Sequence, residues 1–295
     1  MEAAMTTWRY WVGDHPHYYP LPPVLERDLA GCDLDAAPVA MDPADFRRAL
    51  GAVLHVAAQS VQPFGQPAYH NGQHFVEVVG NTRLLLDALE QPVPEAVRQA
   101  LLIAAAGHDF AHQGSTFRRD APNGKPLPEL GDDVATEQVS AILMYELARV
   151  YGFTPPARLF IVRAIHATTF GNPAISPQSP LEKLLACADV APNTPQIVAW
   201  LKHGVDVTFG ERPAKPAPTT FSGWVANRMG FIDYHLMNFV TPEKPQYVAA
   251  AVRLGWDAIL RDHRASLQRV KDGTDPVLTA IMKAMLPDDR VDLGA

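Results

Sequence analysis

The sequence has few cysteines and no long apolar run. It contains 2 cysteines, Cys32 and Cys187, which lie far apart and form no disulfide framework. No apolar run reaches the roughly 20 residues that a transmembrane helix needs, and the N-terminal segment lacks the basic and apolar regions of a signal peptide. We therefore expect a cytoplasmic protein that does not interact with membranes.

Positive charge is also scarce. The chain has 25 Lys and Arg residues against 32 Asp and Glu residues, which gives a formal net charge of −7. Proteins that bind nucleic acids or anionic membranes need a basic surface that neutralises phosphates. The composition therefore excludes a general nucleic-acid partner, whereas a site for a small anion remains possible if bound metal supplies local positive charge.

Alternating strand patterns are few, no internal repeat is evident, and helical periodicity dominates the rest of the chain. The sequence predicts an all-α fold, including a helix over about 243–268 and a short one over about 275–286. Residues 1–40 are rich in proline and aromatic residues and have no regular period, so we expect an irregular arm. A single helical catalytic domain should then cover residues 41–290, with surface loops near 118–133 and 208–222.

Side chains that bind metals or transfer protons are concentrated in one short window: His70, His74, His108, Asp109 and His112. The first two are four residues apart, as are His108 and His112, which on a helix places each pair on one face. His108 and Asp109 follow the apolar segment LLIAAAG, and burying them would be costly unless they were paired or bound a metal.

Imidazoles and carboxylates are ligands for Zn, Mn, Fe and Mg. Asp189, in the later segment LLACADV, could complete a ligand set with the histidines and Asp109. The sequence contains neither an HExxH motif nor a cysteine ligand set, which argues against a single-zinc protease and a structural zinc site. The pattern therefore indicates a metal site of another kind.

The adjacent pair His108-Asp109 after an apolar helix resembles the HD metal-dependent phosphohydrolase superfamily. More narrowly, YHNGQH at 69–74 is similar to the YHNxxH motif of class I cyclic nucleotide phosphodiesterases, and HDFAHQG at 108–114 to their HDxxHxG motif. ADVAPNTP at 188–195 resembles the segment that supplies their last metal aspartate, and GFIDY at 230–234 a string near their substrate pocket. The four motifs occur in the order found in that family.

The resemblance implies a compact multi-helix phosphodiesterase-like domain with a dinuclear metal site. Four residues would be direct metal ligands: His74, His108, Asp109 and Asp189. Asp109 would bridge to the second ion, whose waters His112 and Glu137 would hold. The two divalent ions would be Zn plus Mg or Mn, with Fe possible. Two such ions about 3.5–4 Å apart ionise a bridging water near neutral pH and clamp phosphoryl oxygens.

The catalytic residues implied by the resemblance are His70, Asp109 and His112, with His70 as the general acid that protonates the leaving oxygen. Loss of His70 should leave the metals bound, because it acts on the substrate. His166 and His203 lie outside the motifs. We expect both of them to be structural.

The resemblance also places Tyr69, Asn193, Arg228 and Phe231 at the substrate pocket. Arg228 stands where the family has a purine-binding glutamine, and Asn193 stands one residue later than the comparable asparagine. Glutamine offers a donor and an acceptor, whereas arginine offers donors and a fixed positive charge. Arg228 could therefore contact a guanine O6/N7 edge, pair with a phosphate or carboxylate, or turn to solvent.

The leading hypothesis is hydrolysis of a 3′,5′-cyclic nucleotide, cAMP or cGMP, to the 5′-monophosphate. The nearest alternative keeps the chemistry and changes the substrate to another phosphoester, because of Arg228. A di-iron oxygenase and a nucleotide sensor without catalysis are further alternatives. A homodimer is possible, and the sequence does not identify the base.

Overall fold

The computed structural model describes residues 7–12, 15–20, 38–61, 68–110, 116–117, 134–169, 180–192, 194–210, 217–239 and 245–294. Of the residues named above, Cys32, His112 and Asn193 lie outside these ranges, as does the predicted loop at 118–133.

Most of the described chain is α-helical, which confirms the predicted all-α class. The helices are α1 (Pro43–Ser60), α2 (Gly72–Asp87), α3 (Glu95–Gly107), α4 (Thr136–Val150), α5 (Pro155–His166), α6 (Pro180–Asp189), α7 (Ile197–Val205), α8 (Phe221–Phe239), α9 (Pro245–Arg253), α10 (Trp256–Lys271) and α11 (Pro276–Met285). A π-helix over Asp206–Gly210 continues α7 directly. Across the described ranges, no helix combines the length and the apolar character that crossing a bilayer requires.

Two short antiparallel hairpins accompany the helices. One pairs β1 (Thr7–Val12) with β2 (His15–Pro20), and the other pairs β3 (Thr116–Phe117) with β4 (Val134–Ala135). The first hairpin differs from the irregular conformation that we expected within residues 1–40. Its sequence TWRYWV is rich in aromatic and β-branched residues, which favour extended backbone. The division of the chain near residue 40 stays a prediction.

Helix α3 is the centre of the larger of two apolar clusters, because it packs against α1, α2, α5 and α6. Its residues from Leu101 to Gly107 are all buried. Gly107 lies so close to α4 that a Cβ added there would be 2.1 Å from the Sδ atom of Met144. The helix therefore ends inside the protein, and its last turn points the following residues into the interior.

The second apolar cluster is formed mainly by α7, α8, α10 and α11, around Trp224 and Leu267. Where we expected one helix over about 243–268, the structure has α9 and α10, separated at Leu254 and Gly255. Gly255 has a φ of 72°, a left-handed conformation that glycine adopts readily. The two clusters meet beside the C-terminal end of α6, and the candidate site lies there.

Candidate metal centre and adjoining cavity

Four metal-binding side chains converge in the interior from the ends of three helices: His74, His108, Asp109 and Asp189. His74 is in the first turn of α2, His108 caps the end of α3 and is followed by Asp109, and Asp189 is the last residue of α6. Their relative exposures are 2%, 0%, 5% and 8%. All four residues predicted as direct ligands are therefore brought together.

The local sequence explains the placement of His74. Asn71 is the N-cap of α2, and its side-chain oxygen accepts hydrogen bonds from the backbone N–H groups of Gln73 and His74. This cap fixes where α2 begins. It holds His74 in the helical first turn, facing the end of α3, and leaves His70 in the preceding turn.

The ligand atoms of the four residues all lie within 4.8 Å of one another. The Nε2 atom of His108 is 3.0 Å from Asp109 Oδ2 and 3.2 Å from Asp189 Oδ1. The Nε2 atom of His74 is 3.5 Å from Asp109 Oδ2 and 3.2 Å from Asp189 Oδ1. The two Nε2 atoms are 3.3 Å apart.

These separations fit a metal ion. Ligand distances of about 2.0–2.2 Å in tetrahedral or square arrangements place neighbouring ligand atoms roughly 2.8–3.6 Å apart. The Nδ1 atom of His108 is 2.9 Å from the carbonyl oxygen of Ala105, so in the neutral ring Nδ1 donates and Nε2 keeps its lone pair. Two imidazole nitrogens and two carboxylates directed at one point form a donor set suited to a divalent cation.

The charges of the cluster also suit a bound cation. Burial opposes ionisation of Asp109 and Asp189, yet the adjacent His108 lowers the pKa of Asp109 well below its ordinary value and that of Asp189 to about 2. Burial likewise lowers the pKa of His108, but the two carboxylates raise it well above its ordinary value overall. Without metal, protons on histidine neutralise the carboxylates, so metal binding should release protons and weaken at low pH.

His70 lies beside this cluster. Its Nε2 atom is 3.8 Å from Asp109 Oδ2, and its ring is edge-on to His74 at 5.4 Å between centroids. We expected His70 and His74 on one helical face, which is wrong in detail because His70 precedes the N-cap. Both nevertheless approach Asp109, and His70 faces the adjoining cavity.

Glu137 is in the first turn of α4 and is half-buried. Burial and the negative charge of Asp109 raise its pKa to about 8. The pKa of Glu137 therefore responds to the charge of the cluster, although Glu137 is not one of the four converging residues. Its predicted part in holding metal-bound water stays a prediction, as does that of His112.

A cavity of ≈ 170 Å³ opens beside the cluster. It is lined by Tyr69, His70, Asp189, Val190, Ala191, Trp200, His203, Gly204, Val207, Arg228 and Phe231. Three of the predicted substrate residues, Tyr69, Arg228 and Phe231, are among them. The cavity is smaller than the roughly 300–1,000 Å³ of typical ligand pockets, so a nucleotide-sized ligand would have to displace a wall side chain.

Arg228 is a wall residue of this cavity. Its guanidinium lies 5.2 Å from the ring centroid of Phe231, and Nη2 donates to Asn227 Oδ1 at 2.7 Å. A Cβ added to Gly204 would be 2.7 Å from its Nη1 atom. Burial lowers the pKa of Arg228 to about 10, which leaves it charged at neutral pH. The guanidinium thus lies over one face of the Phe231 ring.

His203 is a cavity residue that our sequence analysis assigned to a structural role. It is in the last turn of α7, half-buried, and its ring is edge-on to Tyr69 at 5.8 Å between centroids. One sequence pattern could have indicated that His203 lies on the same side of α7 as Trp200. His203 follows Trp200 by three residues, a spacing that places both on one face of a helix.

Comparisons with known proteins show a likeness in fold. Neither the protein-family models nor the curated proteins include a match to this sequence. Among solved structures, the phosphodiesterase domain of the RhoPDE fusion protein from the choanoflagellate Salpingoeca rosetta matches with a TM-score of 0.51 and 17% sequence identity. The match covers 86% of this chain and 100% of that domain. At this identity the likeness concerns the fold alone.

Proposed function

We propose that this protein is a metal-dependent phosphodiesterase that hydrolyses a 3′,5′-cyclic nucleotide to the 5′-monophosphate. The observation that carries the proposal is the convergence of His74, His108, Asp109 and Asp189, with His70 beside Asp109 at the edge of a cavity. The fold shared with a phosphodiesterase domain and the motif resemblance support the same activity.

The four converging residues would hold the divalent ions, Zn plus Mg or Mn. Bound there, such ions supply Lewis acidity toward phosphoryl oxygens and lower the pKa of coordinated water. The protein contributes a dry, preformed ligand set. It also contributes a carboxyl group, Glu137, whose raised pKa of about 8 leaves it ready to give up a proton when cations raise the local positive charge.

The reaction adds one water molecule and breaks one P–O bond. The water oxygen forms a new bond to phosphorus, the bond from phosphorus to the 3′ oxygen breaks, and the 3′ oxygen takes up a proton. We assign that proton to the imidazole of His70, which lies between Asp109 and the cavity. The Nε2 atom of this ring is 3.8 Å from Asp109 Oδ2, so the proton donor lies directly beside the four converging residues.

A different phosphoester is the second candidate substrate. The observation that favours it is Arg228, whose cationic guanidinium lies over Phe231 in place of a neutral amide. A fixed cation there suits a ligand with an acceptor edge or a second anionic group. The same catalytic residues serve either substrate.

The test is hydrolysis of cAMP, cGMP and bis(4-nitrophenyl) phosphate by metal-reconstituted protein, beside Asp109→Ala and the exposed control Asp289→Asn. We expect turnover of a cyclic nucleotide that falls by at least about a thousandfold in Asp109→Ala, because removing a ligand disrupts the centre. Asp289→Asn should match the wild type. Cleavage of the aryl ester alone would support the second candidate, and no metal-dependent cleavage of any substrate would contradict the proposal.

A further inference from the structure

We propose that His203 hydrogen-bonds the free sugar hydroxyl of the substrate and makes the site selective for ribonucleotides over 2′-deoxyribonucleotides. This inference depends on the proposed function, because it takes a cyclic nucleotide as the ligand. It assigns a binding role to a residue that lies outside all of the sequence motifs.

The first step is the wall on which His203 lies. Helix α7 presents Trp200, His203 and Gly204 to the cavity, and the π-helix that follows adds Val207. π-Helical turns are rare and occur frequently at functional sites. Here the π-helix ends at Gly210, where an added Cβ would be 2.8 Å from the Cβ of Ala68. This wall is therefore packed directly against the segment that holds Tyr69 and His70.

The second step is the position of His203 between the two ends of the cavity. Toward the metal centre, the ring of Tyr69 is 5.8 Å from His203 and 4.5 Å from His74. Away from it, the next residue, Gly204, is in close contact with the guanidinium of Arg228. The ring of Tyr69 thus lies close to both His203 and the predicted ligand His74. On the other side, the residue after His203 contacts Arg228, whose guanidinium lies over Phe231.

The third step is the chemistry of a nucleotide placed along this axis. With its phosphate at the metal centre and its base near Phe231, a cyclic nucleotide passes His203 with its sugar. A 3′,5′-cyclic ribonucleotide has one free hydroxyl, at the 2′ position, which both donates and accepts hydrogen bonds. A neutral imidazole offers one donor and one acceptor. The nearby lining residues Val190, Ala191 and Val207 are apolar.

The experiment compares a cyclic ribonucleotide, its 2′-deoxy analogue and bis(4-nitrophenyl) phosphate in wild type, His203→Ala and the control His55→Ala. His55 is exposed on α1, away from the cavity. For the ribonucleotide we expect His203→Ala to lower kcat/KM about tenfold, mainly through KM, as loss of one hydrogen bond predicts. In the wild type, kcat/KM for the deoxy analogue should be lower than that for the ribonucleotide by a similar factor. In His203→Ala the two nucleotides should have almost the same kcat/KM. The aryl ester and His55→Ala should show no change.

Equal losses for all three substrates in His203→Ala would overturn the proposal, since His203 would then act through Tyr69 and His70. Unchanged kinetics, or a full additional loss with the deoxy analogue, would overturn it as well. If the wild type hydrolyses nothing, the imidazole NMR signal of His203 is followed during titration with a ribonucleoside and a deoxyribonucleoside 5′-monophosphate. A chemical shift change that only the ribonucleotide causes would support the contact between His203 and the 2′ hydroxyl, even though the proposed activity fails. No change with either nucleotide would overturn both the contact and the activity.

Discussion

The candidate metal centre and the cavity wall are built differently. The centre uses side chains at the ends of α2, α3 and α6, within the larger apolar cluster, and each is less than a tenth exposed. The wall uses α7 and α8, from the second apolar cluster, and its residues His203, Arg228 and Phe231 are half-buried. The two regions meet at Asp189, which is both a cluster residue and a lining residue.

Under the proposed function, this difference assigns chemistry to the cluster and selectivity to the wall. A buried histidine or carboxylate whose partners are removed is left unpaired in the interior, so every member of the centre depends on the others. A half-buried wall residue can change without that penalty. Arg228 on this wall differs from the glutamine of the family that the sequence resembles, whereas all four expected ligands are retained. Substitutions in the two regions should therefore have different consequences.

Outside the four converging residues, the largest expected effect concerns His70, which lies beside Asp109 and lines the cavity. His70→Asn should lower kcat for a cyclic nucleotide by about 10²–10⁴-fold, the usual contribution of a general acid. Bis(4-nitrophenyl) phosphate should lose less than about tenfold, because nitrophenolate leaves without protonation. Metal content, measured by inductively coupled plasma mass spectrometry, should be unchanged. Equal losses on both substrates, or loss of metal, would place His70 in the centre itself.

Arg228→Gln should alter selectivity and leave the chemistry unchanged. We expect the ratio of kcat/KM for cGMP over cAMP to fall about tenfold or more, because a guanidinium favours the O6/N7 acceptors of guanine by roughly 1–3 kcal/mol. Turnover of the aryl ester should not change. The exposed residue Arg47 provides the control Arg47→Gln. A uniform loss across all three substrates would indicate that Arg228 supports the fold or the metal centre.

Gly204→Ala should lower the ratio of kcat/KM for cGMP over cAMP, as Arg228→Gln does, but only several-fold. The new Cβ would be 2.7 Å from Nη1 and 3.0 Å from Cδ of Arg228, so the flexible side chain must move away from Phe231. The matched control is Gly230→Ala on α8, where an added Cβ meets no atom within 4 Å. Selectivity that shifts in Gly230→Ala as well would contradict this reason.

The smallest expected effect is on the stability of metal-free protein, measured by thermal unfolding from pH 5 to 8 in a chelator. Burial and Asp109 raise the pKa of Glu137 to about 8, so its ionisation costs stability as the pH rises above its ordinary value of 4.5. The raised pKa of His108 acts in the same direction, because that stabilisation is lost as the pH rises through the folded-state pKa. Between about pH 5 and 6.5 the buried histidines His166 and His235 act in the opposite direction, because burial lowers their pKa values to about 4 and about 3. Wild type should therefore lose stability between about pH 6.5 and 8.

Glu137→Gln should flatten this decline, since the amide does not ionise, and should match the wild type near pH 5. The exposed substitution Glu90→Gln is less suitable as a control, because Glu90 pairs with Arg253. Asp289→Asn serves instead. A decline of unchanged steepness in Glu137→Gln would show that the histidines alone are responsible.

Sequence alone predicted the helical class, which the structure confirms, and it singled out the four residues that converge in the interior, because the signals for both are local. Helical period is visible within a single segment, and the adjacent His108-Asp109 pair after an apolar run is costly unless it is paired. Details that depend on a single backbone residue were wrong. Gly255 divides the helix expected over 243–268, and Asn71 starts α2 after His70.

Only the tertiary structure shows which residues form the cavity wall. His203 is far in sequence from Tyr69 and from Arg228, and no local pattern states that α7 packs beside both. The guanidinium of Arg228 covers Phe231 because Gly204 leaves space for it, which is a contact between two helices. The four converging residues could be singled out from residue types and the motif resemblance, whereas the surroundings of a substrate depend on long-range packing, which a single sequence does not display.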